Sequence, residues 1–319
     1  MRLLITRPLP EAVVSAARDG FEVTVRETTD PMNPAEVAAA LREQDIVMPT
    51  LGDAFDAAAF AAVPRPRVRL LANFGVGYNH IDVTAARAAG VAVTNTPGAV
   101  TDATADIALT LMLMSARRAG EGERMVRAGA WPGWHPTQLL GLHMTGKVLG
   151  VVGMGRIGQA IAKRAHFGFG MAVVHHTRTP RPLPDLPAAR ALPSVRAVMA
   201  AADVVVVAVP GGAGTRHLID ADTLAAMRPH AHLVNISRGD VVDEAALIEA
   251  LRQGRIAGAG LDVYEHEPFV PEALRALENV VLLPHIGTAA LEVREAMGMM
   301  ALDNARALRE GRALPNPVA

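Results

Sequence analysis

The stretch Val148-Leu-Gly-Val-Val-Gly-Met-Gly-Arg-Ile-Gly158 decides how the rest of the chain is interpreted. An apolar run typical of a buried strand leads into a G-x-G-x-x-G motif, and apolar residues then recur at helical spacing from Ile157. In such a turn Gly153 allows a sharp bend, Gly155 lets the backbone approach a pyrophosphate, and Gly158 lets the helix pack on the strand. The free N–H groups at the start of the helix attract the same anion. The pattern predicts a dinucleotide-binding turn in an α/β fold.

Short apolar runs alternate with helix-length amphipathic runs through most of the chain. Before residue 100, strands are predicted over 3–6, 22–26, 45–48, 69–73 and 91–94. From residue 147 onward, strands are predicted over 147–152, 171–175, 204–209, 232–236, 256–263 and 280–283. Strands that alternate with helices pair in parallel, with helices on both faces of the sheet. We therefore expect two α/β units, each with a doubly wound parallel sheet.

The helices between these strands carry some clear end signals. Helices are predicted over 34–42, 83–89, 101–128, 243–253 and 289–309, and from Arg156 onward. Gly254 suits the left-handed position that follows a helix. Four prolines between residues 180 and 187 predict a loop. The long helix over 101–128 is interpreted as a spacer between the two units.

The composition limits the kinds of partner. The chain has 319 residues, which at about 150 residues per domain suggests two domains. Lys and Arg total 31 and Asp and Glu total 32, so the net charge is −1. A balanced charge gives no electrostatic reason to bind nucleic acid or an anionic membrane. We therefore expect a small-molecule substrate and neither of those partners.

Two further features bear on metal chemistry and location. The chain has no cysteine, which excludes disulfides, thiolate metal ligands and a cysteine nucleophile. The histidines show no ligand-like spacing with nearby carboxylates, so no catalytic metal is expected. No run approaches the roughly 18 apolar residues of a membrane helix, and the apolar run near the N-terminus is too short for a signal peptide. We expect a cytoplasmic protein.

The residues after the second strand of the dinucleotide unit bear on the type of cofactor. An acidic residue about 20 positions after the glycine motif would bind the ribose 2′-hydroxyl of NAD. Here no acidic residue follows the motif before Asp185. Arg178 and the hydroxyl groups of Thr177 and Thr179 suit a 2′-phosphate instead, and His176 lies beside them. We therefore expect NADPH as the cofactor, with NADH as the alternative.

Three polar residues each follow an apolar strand of the same unit. Arg238 follows the strand at 232–236, Glu267 follows the strand at 256–263, and His285 follows the strand at 280–283. In doubly wound sheets the carboxyl ends of the strands face the ligand crevice. A histidine can carry a proton near neutral pH, and a neighbouring glutamate favours its charged form. An arginine binds a carboxylate and polarises a carbonyl oxygen.

Six motifs together carry a resemblance to a known family. They are Asn73-Phe-Gly-Val-Gly-Tyr-Asn-His-Ile-Asp82, the glycine motif at 153–158, Asn235-Ile-Ser-Arg-Gly-Asp-Val-Val-Asp243, Gly258-Ala-Gly-Leu-Asp-Val263, Glu267-Pro268 and Pro284-His-Ile-Gly287. Nearly the whole chain resembles the D-isomer-specific 2-hydroxyacid dehydrogenase family, and most of all its glyoxylate/hydroxypyruvate reductase branch. The resemblance implies a Rossmann-type dinucleotide-binding domain (99–287) inserted into a flavodoxin-like substrate domain (1–98 and 288–319). It also implies a homodimer.

The resemblance further implies a reaction and a role for each matching residue. The reaction is hydride transfer from the cofactor to C2 of a small 2-oxo acid such as glyoxylate or hydroxypyruvate, which gives a D-2-hydroxy acid. Arg238 would bind and polarise the substrate, and His285, paired with Glu267, would donate the proton. The remaining implied substrate contacts are the N–H groups of Val76 and Gly77, and Leu51, Thr288, Arg294 and Trp134. The implied cofactor contacts are Val76, Thr104, Gly153, Met154, Gly155, Arg156, Ile157, Gly158, His176, Thr177, Arg178, Thr179, Val209, Pro210, Thr215, Ile236, Ser237, Arg238, Asp262, His285 and Gly287.

Three points stay open on the sequence alone. Trp134 resembles a residue that reaches a neighbouring subunit's active site, but it would equally suit a loop residue packed on its own chain. Glu265 competes with Glu267 as the partner of His285; the Glu-Pro match selects Glu267, and we expect Glu265 to face solvent. The alternatives to the reductase are a dinucleotide-sensing, corepressor-like interaction protein on the same fold and another D-2-hydroxyacid or phosphite dehydrogenase.

Overall fold

The computed structural model describes residues 1–318, which form two compact units. The first unit comprises Met1–Val100 and the segment from Thr288 onward, and the second comprises Thr101–Gly287. Within residues 1–318, no helix is both long and apolar enough to cross a membrane.

The helices and strands follow in regular alternation. Up to residue 100 they are β1 (Arg2–Ile5), α1 (Glu11–Arg18), β2 (Glu22–Val25), α2 (Pro34–Glu43), β3 (Ile46–Met48), α3 (Ala57–Ala62), β4 (Leu70–Ala72), α4 (Val83–Ala88) and β5 (Ala92–Thr94). Over 101–287 they are α5 (Thr101–Ala116), α6 (Ala119–Arg127), β6 (Val148–Val152), α7 (Arg156–Phe169), β7 (Ala172–His176), β8 (Arg190–Ala191), α8 (Val195–Ala201), β9 (Val204–Val207), α9 (Ala221–Ala225), β10 (His232–Asn235), α10 (Glu244–Arg252), β11 (Gly258–Leu261), α11 (Glu272–Arg275) and β12 (Val280–Leu282). The last helix is α12 (Leu291–Arg309).

The sheet of the first unit has the strand order β2-β1-β3-β4-β5, and every pair is parallel. This is the order of flavodoxin-like doubly wound sheets. The C-terminal helix α12 packs on α1 and β4 and so belongs to this unit. A side chain at Gly298 of α12 would lie 2.5 Å from Val13 of α1, so only glycine allows the two helices to approach this closely.

The sheet of the second unit has the strand order β12-β11-β10-β9-β6-β7-β8, again with every pair parallel. Along β9, Val205 and Val207 pack into one apolar cluster while Val204 and Val206 pack into another, so both faces of the sheet are buried. The strand order reverses between β6 and β9, and dinucleotides bind at such reversal points in Rossmann-type sheets. The predicted fold class is therefore confirmed for both units.

The predicted single helix over 101–128 is wrong. Arg118 adopts a left-handed conformation (φ 52°) between α5 and α6, which interrupts the helical hydrogen bonds. The carbonyl of Ala116, at the end of α5, accepts a hydrogen bond from the N–H of Leu142 at 2.7 Å. A contact far along the chain thus replaces the bond that would have continued the helix. The end signals at 243–253 are confirmed, because Asp243 caps α10 and Gly254 has φ +63°.

Candidate active site

The turn between β6 and α7 consists largely of glycines, so no side chain covers the backbone N–H groups that could bind an anion. Gly153 has φ +99°, and a side chain there would lie 2.6 Å from the carbonyl oxygen of Ala208. A side chain at Gly158 would overlap the carbonyl of Gly153, whereas one at Gly155 would project into open space. Gly155 precedes α7 without any side-chain cap, so the first N–H groups of the helix are available to a ligand.

A cavity of about 530 Å³ opens at this turn, where β6, β7 and β9 end. Its lining includes Gly153, Met154, Gly155, His176, Thr177, Arg178, Thr179, Arg181, Val209, Pro210, Thr215 and Leu218. Neither Arg178 nor Arg181 forms an ion pair with any residue in 1–318. The glycine turn, the uncapped helix and the two arginines fit the phosphate groups of a dinucleotide.

A histidine and a glutamate form a close pair on the loops that follow β11 and β12. Nδ1 of His285 lies 2.7 Å from Oε2 of Glu267, and the N–H of Tyr264 donates to Oε1 of the same carboxylate at 3.0 Å. Both side chains are about one-third exposed. His285 has φ 54°, a left-handed conformation that costs energy in a non-glycine residue. The surrounding structure therefore holds the backbone of His285 in an unfavourable conformation.

The environment of Glu267 keeps its carboxylate ionised. Burial acts to raise the pKa of Glu267, but the hydrogen bond and charge of His285, the N–H of Tyr264 and the charge of Arg238 outweigh it. The net result is a pKa below the ordinary value for a glutamate. A negative carboxylate can only accept, so the hydrogen bond to it places a proton on Nδ1 of His285. The other ring nitrogen, Nε2, is then the atom from which a proton can be transferred.

The guanidinium of Arg238 has an unused donor in a buried position. One Nη group donates to the carbonyl of Ser237 at 2.7 Å, but Nε is buried and has no hydrogen-bond partner among residues 1–318. Burial lowers the pKa of Arg238, against the charges of Glu267 and Asp240 that raise it. An arginine remains charged at neutral pH even so. A buried, charged and unpaired donor is suited to a carboxylate or carbonyl oxygen of a ligand.

Two features hold the loops of this site against one another. A side chain at Gly239 would overlap the backbone of Tyr264, so the segment after Arg238 lies directly on the loop that carries Glu267. Asp262 accepts hydrogen bonds from the N–H groups of Ile286 at 2.7 Å and Gly287 at 2.8 Å. Burial raises the pKa of Asp262, while these two hydrogen bonds oppose the shift. Asp262 thereby ties the end of β11 to the loop that carries His285.

Comparisons with known proteins agree over the whole chain. Residues 109–287 match the family described as D-isomer specific 2-hydroxyacid dehydrogenase, NAD binding domain. The chain is 42% identical to a glyoxylate reductase of Thermococcus onnurineus over 99% of this chain and 95% of that protein. The chain belongs to the D-isomer-specific 2-hydroxyacid dehydrogenase family. This family member is therefore an NAD(P)-dependent oxidoreductase.

Solved structures of other members have the same fold. The TT0316 protein from Thermus thermophilus is 44% identical and superimposes with a TM-score of 0.92 over 100% of both chains. An NADPH-dependent glyoxylate/hydroxypyruvate reductase of Sinorhizobium meliloti, solved with NADP and malonate, is 39% identical, with a TM-score of 0.88 over 100% of this chain and 96% of that one. The dehydrogenase described here thus shares its fold with proteins that bind nicotinamide dinucleotides.

The predicted site residues of this dehydrogenase fall into two sets. In the second unit, a side chain at Gly287 would lie 3.6 Å from Thr104, and the N–H of Gly287 donates to Asp262. Arg238, Glu267 and His285 are brought together as described above, and the residues of the glycine motif share one cavity with those after β7. The first unit carries Leu51, Val76, Gly77, Thr288 and Arg294, and Arg294 donates to the carbonyl of Thr288 at 3.0 Å.

The side chain of Trp134 is 80% exposed, whereas a residue packed on its own chain would be largely buried.

The expectation that Glu265 faces solvent is wrong. The side chain of Glu265 is only 13% exposed, accepts a hydrogen bond from Nε2 of His217 at 2.8 Å and pairs with Arg216 at 3.3 Å. Gly239 lies against the backbone of Tyr264 and Glu265, and the carbonyl of Asp240, the next residue, accepts a hydrogen bond from the N–H of His217 at 2.7 Å. Side chains along a loop do not alternate between buried and exposed positions as they do along a strand. The sequence therefore could not show that Glu265 and Glu267 are both held by neighbouring side chains or backbone groups.

Sequence reasoning also missed Arg181 and the hydrogen bonds that Asp262 makes. Arg181 lines the same cavity as Arg178, and the signal for it was a second arginine three positions later in the proline-rich loop. The double hydrogen bond of Asp262 to the loop of His285 had no sequence signal.

In residues 1–318, no group of three or more His, Asp or Glu side chains is placed to hold a metal ion.

Proposed function

We propose that this dehydrogenase reduces small 2-oxo acids, with glyoxylate and hydroxypyruvate as its preferred substrates, to D-2-hydroxy acids at the expense of NADPH. The observation that carries the proposal is the hydrogen-bonded pair of His285 and Glu267, which lies beside Arg238, whose Nε has no hydrogen-bond partner among residues 1–318. A proton donor and a carbonyl-polarising cation are the two groups that reduction of an oxo acid requires from the protein. The names of the curated relatives support the choice of substrate.

The proposed chemistry divides between these three side chains. The nicotinamide of the bound cofactor would supply the hydride to C2 of the oxo acid. Arg238 binds the substrate carboxylate and polarises the carbonyl oxygen, which favours the negative charge that develops there. His285 donates the proton held at Nε2 to the forming alkoxide, and Glu267 keeps the imidazole charged and oriented.

In this proposal, residues of the first unit make the remaining contacts with the substrate. The N–H groups of Val76 and Gly77 bind the substrate carboxylate, and Leu51 limits the size of the group carried by C2. Thr288 and Arg294 border the substrate. Leu51 is exposed on the loop that follows β3, and Val76 is exposed on the loop that follows β4, so both are available for contact.

The preference for NADPH is part of the same proposal. Arg178 binds the 2′-phosphate together with the hydroxyls of Thr177 and Thr179 and with His176, all of which line the cavity at the glycine turn. Nδ1 of His176 is engaged by the carbonyl of Leu192 at 3.0 Å, which leaves Nε2 for the ligand. The other proposed cofactor contacts are Val76, Thr104, Gly153, Met154, Gly155, Arg156, Ile157, Gly158, Val209, Pro210, Thr215, Ile236, Ser237, Arg238, Asp262, His285 and Gly287.

A homodimer in the cytoplasm completes the proposal. Trp131, Trp134 and Leu140 are large apolar side chains exposed on one segment, which is the behaviour of residues that are covered by a partner. Trp134 then serves the active site of the partner subunit. Light scattering should give twice the chain mass, and Trp134→Ser should weaken substrate binding. A monomeric species with full activity would contradict this part of the proposal.

The test is the oxidation of NADPH and of NADH by the purified protein with glyoxylate, hydroxypyruvate and pyruvate. We expect fast oxidation of NADPH with the first two acids, little oxidation of NADH, and D-glycerate as the product from hydroxypyruvate. A preference for NADH would refute the role of Arg178 while leaving the chemistry intact. NADPH binding without turnover of any acid would refute the reductase and support the dinucleotide-sensing role.

A further inference from the structure

Three consecutive carbonyl groups are tied down in the loop that follows β4 in the first unit. Asn73 donates from Nδ2 to the carbonyls of Gly75 at 2.9 Å and Gly77 at 3.0 Å. Asn95 donates from Nδ2 to the carbonyl of Val76 at 2.8 Å. The N–H of Thr96 provides a second hydrogen bond to the carbonyl of Gly75, at 3.1 Å. The carbonyls of Gly75, Val76 and Gly77 are therefore all held in fixed directions by hydrogen bonds.

The direction of a carbonyl also sets the direction of the next N–H. In a trans peptide the C=O and the following N–H lie in one plane and point in opposite directions. The tied carbonyls of Gly75 and Val76 therefore fix the N–H groups of Val76 and Gly77. Neither of these N–H groups donates to any acceptor within residues 1–318, and Val76 is 36% exposed. Two adjacent free N–H groups in a loop form a site that attracts anions.

Both asparagines are themselves anchored at the ends of strands. The N–H of Asn73 donates to the carbonyl of Thr94 at 3.0 Å, and the N–H of Asn95 donates to the carbonyl of Asn316 at 3.2 Å. Asn73 is fully buried. An amide nitrogen carries two hydrogens, so one side chain at position 73 can serve two carbonyls. The reverse orientation of the Asn73 amide would set its oxygen against two carbonyl oxygens.

We propose that Asn73 and Asn95 are positioning residues that aim the N–H groups of Val76 and Gly77 at the carboxylate of the substrate. The inference rests on the proposed function and extends it to two side chains outside the reacting groups. Without these amides the carbonyl of Gly75 keeps only the N–H of Thr96, and the carbonyl of Val76 keeps no hydrogen bond within residues 1–318. The peptide plane that carries the N–H of Gly77 can then turn, and a carbonyl oxygen can face the carboxylate. The role therefore concerns the binding of the acid and not the transfer of hydride or proton.

The test compares steady-state kinetics of Asn95→Leu, Asn95→Asp and Asn73→Asp with those of the wild type. Asn79→Leu is the matched control, because Asn79 is exposed in the same loop and makes no side-chain hydrogen bond within residues 1–318. We expect the KM for glyoxylate to rise about tenfold in the Asn95 variants, as for the loss of hydrogen bonds to a charged group. The kcat and the KM for NADPH should stay within about twofold. If Asn73→Asp does not fold, the Asn95 variants still test the proposal, because Asn95 is only half-buried.

A merely structural role would lower thermal stability and alter both KM values together, and that result would overturn the proposal. An unchanged KM for glyoxylate in both Asn95 variants would also overturn it. If the wild type reduces no 2-oxo acid, the proposed function fails, and calorimetric binding of oxalate to the NADPH complex tests the positioning role separately. Oxalate binding that the Asn95 variants weaken supports the role. Equal binding, or no binding to the wild type, refutes it.

Discussion

Nδ1 of His285 lies 2.7 Å from Oε2 of Glu267, although the two residues follow different strands and are 18 positions apart. The second oxygen of Glu267 is held by the N–H of Tyr264, so the carboxylate has one orientation toward the ring. The His285 loop is held in turn by Asp262. Parallel strands deliver both side chains to the same sheet edge, and the loop hydrogen bonds hold them in the fixed orientation that the proposed proton transfer requires.

Glu267→Gln should lower the kcat for glyoxylate reduction by about 100-fold, because the imidazolium loses its negative partner. Glu265→Gln is the matched control, since it changes the other candidate carboxylate of the same loop. We expect that control to retain activity within about tenfold. A larger loss in Glu265→Gln than in Glu267→Gln would reverse the assignment.

Arg178→Ala should raise the KM for NADPH by at least about tenfold through the loss of a charge-assisted contact to phosphate. The KM for NADH should change little, because NADH lacks the 2′-phosphate. Arg190→Ala, an exposed arginine beyond the same loop, is the control. Initial rates with the two cofactors measure the effect. Equal effects of Arg178→Ala on both cofactors would show that the guanidinium does not contact the 2′-phosphate.

The glycine motif allows a prediction that separates binding from folding. Gly155→Ala should leave the melting temperature unchanged, because the new methyl group enters open space, yet it should weaken NADPH binding about tenfold by blocking the approach of the pyrophosphate. Gly158→Ala should instead destabilise the protein by about 1–3 kcal/mol through overlap with the carbonyl of Gly153. Thermal melts and NADPH titrations of both variants check this. Unchanged NADPH affinity in Gly155→Ala would place the cofactor elsewhere.

Buried His232 should make stability depend on pH. Burial, with the nearby charge of His230, lowers the pKa of His232 from 6.5 to about 4 in the folded state. Between these two pH values the unfolded chain binds more protons, so stability falls as the pH drops from 6.5 toward 4 and is constant above that interval. The loss over the whole interval is roughly 3 kcal/mol, at about 1.4 kcal/mol per pKa unit.

Urea unfolding of the wild type and His232→Asn at pH 7 and pH 4.5 measures this contribution. The variant should lose less stability on acidification than the wild type. His143→Asn is the control, because His143 is exposed. The same loss on acidification in the wild type and in His232→Asn would mean that other groups cause the acid sensitivity.

Local patterns in the chain were sufficient for the fold class and for much of the candidate site. The valine run of β9 and the turn at 153–158 indicate a buried strand and an anion-binding helix start without any long-range information. Arg238, Glu267 and His285 could be expected to meet because each follows a strand of one parallel sheet. The end of α10 was predictable because Asp243 and Gly254 are local signals.

Two of the features that the sequence did not predict, the break after α5 and the burial of Glu265, depend on contacts between distant segments. The break after α5 depends on the bond from Leu142 to Ala116, and residues 101–128 alone resemble one helix. The burial of Glu265 depends on His217 and on the absence of a side chain at Gly239. Short elements such as β8 and α9 have too few residues to show a period.

The most direct test of the central claim is a single-turnover measurement of NADPH oxidation by wild type and His285→Gln at saturating glyoxylate. Loss of the proton donor should slow the reaction by about 10²–10⁴-fold, while NADPH binding, followed by fluorescence, stays unchanged. His143→Gln should react as fast as the wild type. If His285→Gln oxidises NADPH with glyoxylate at the wild-type rate, His285 is not the proton donor and the proposed active site is wrong.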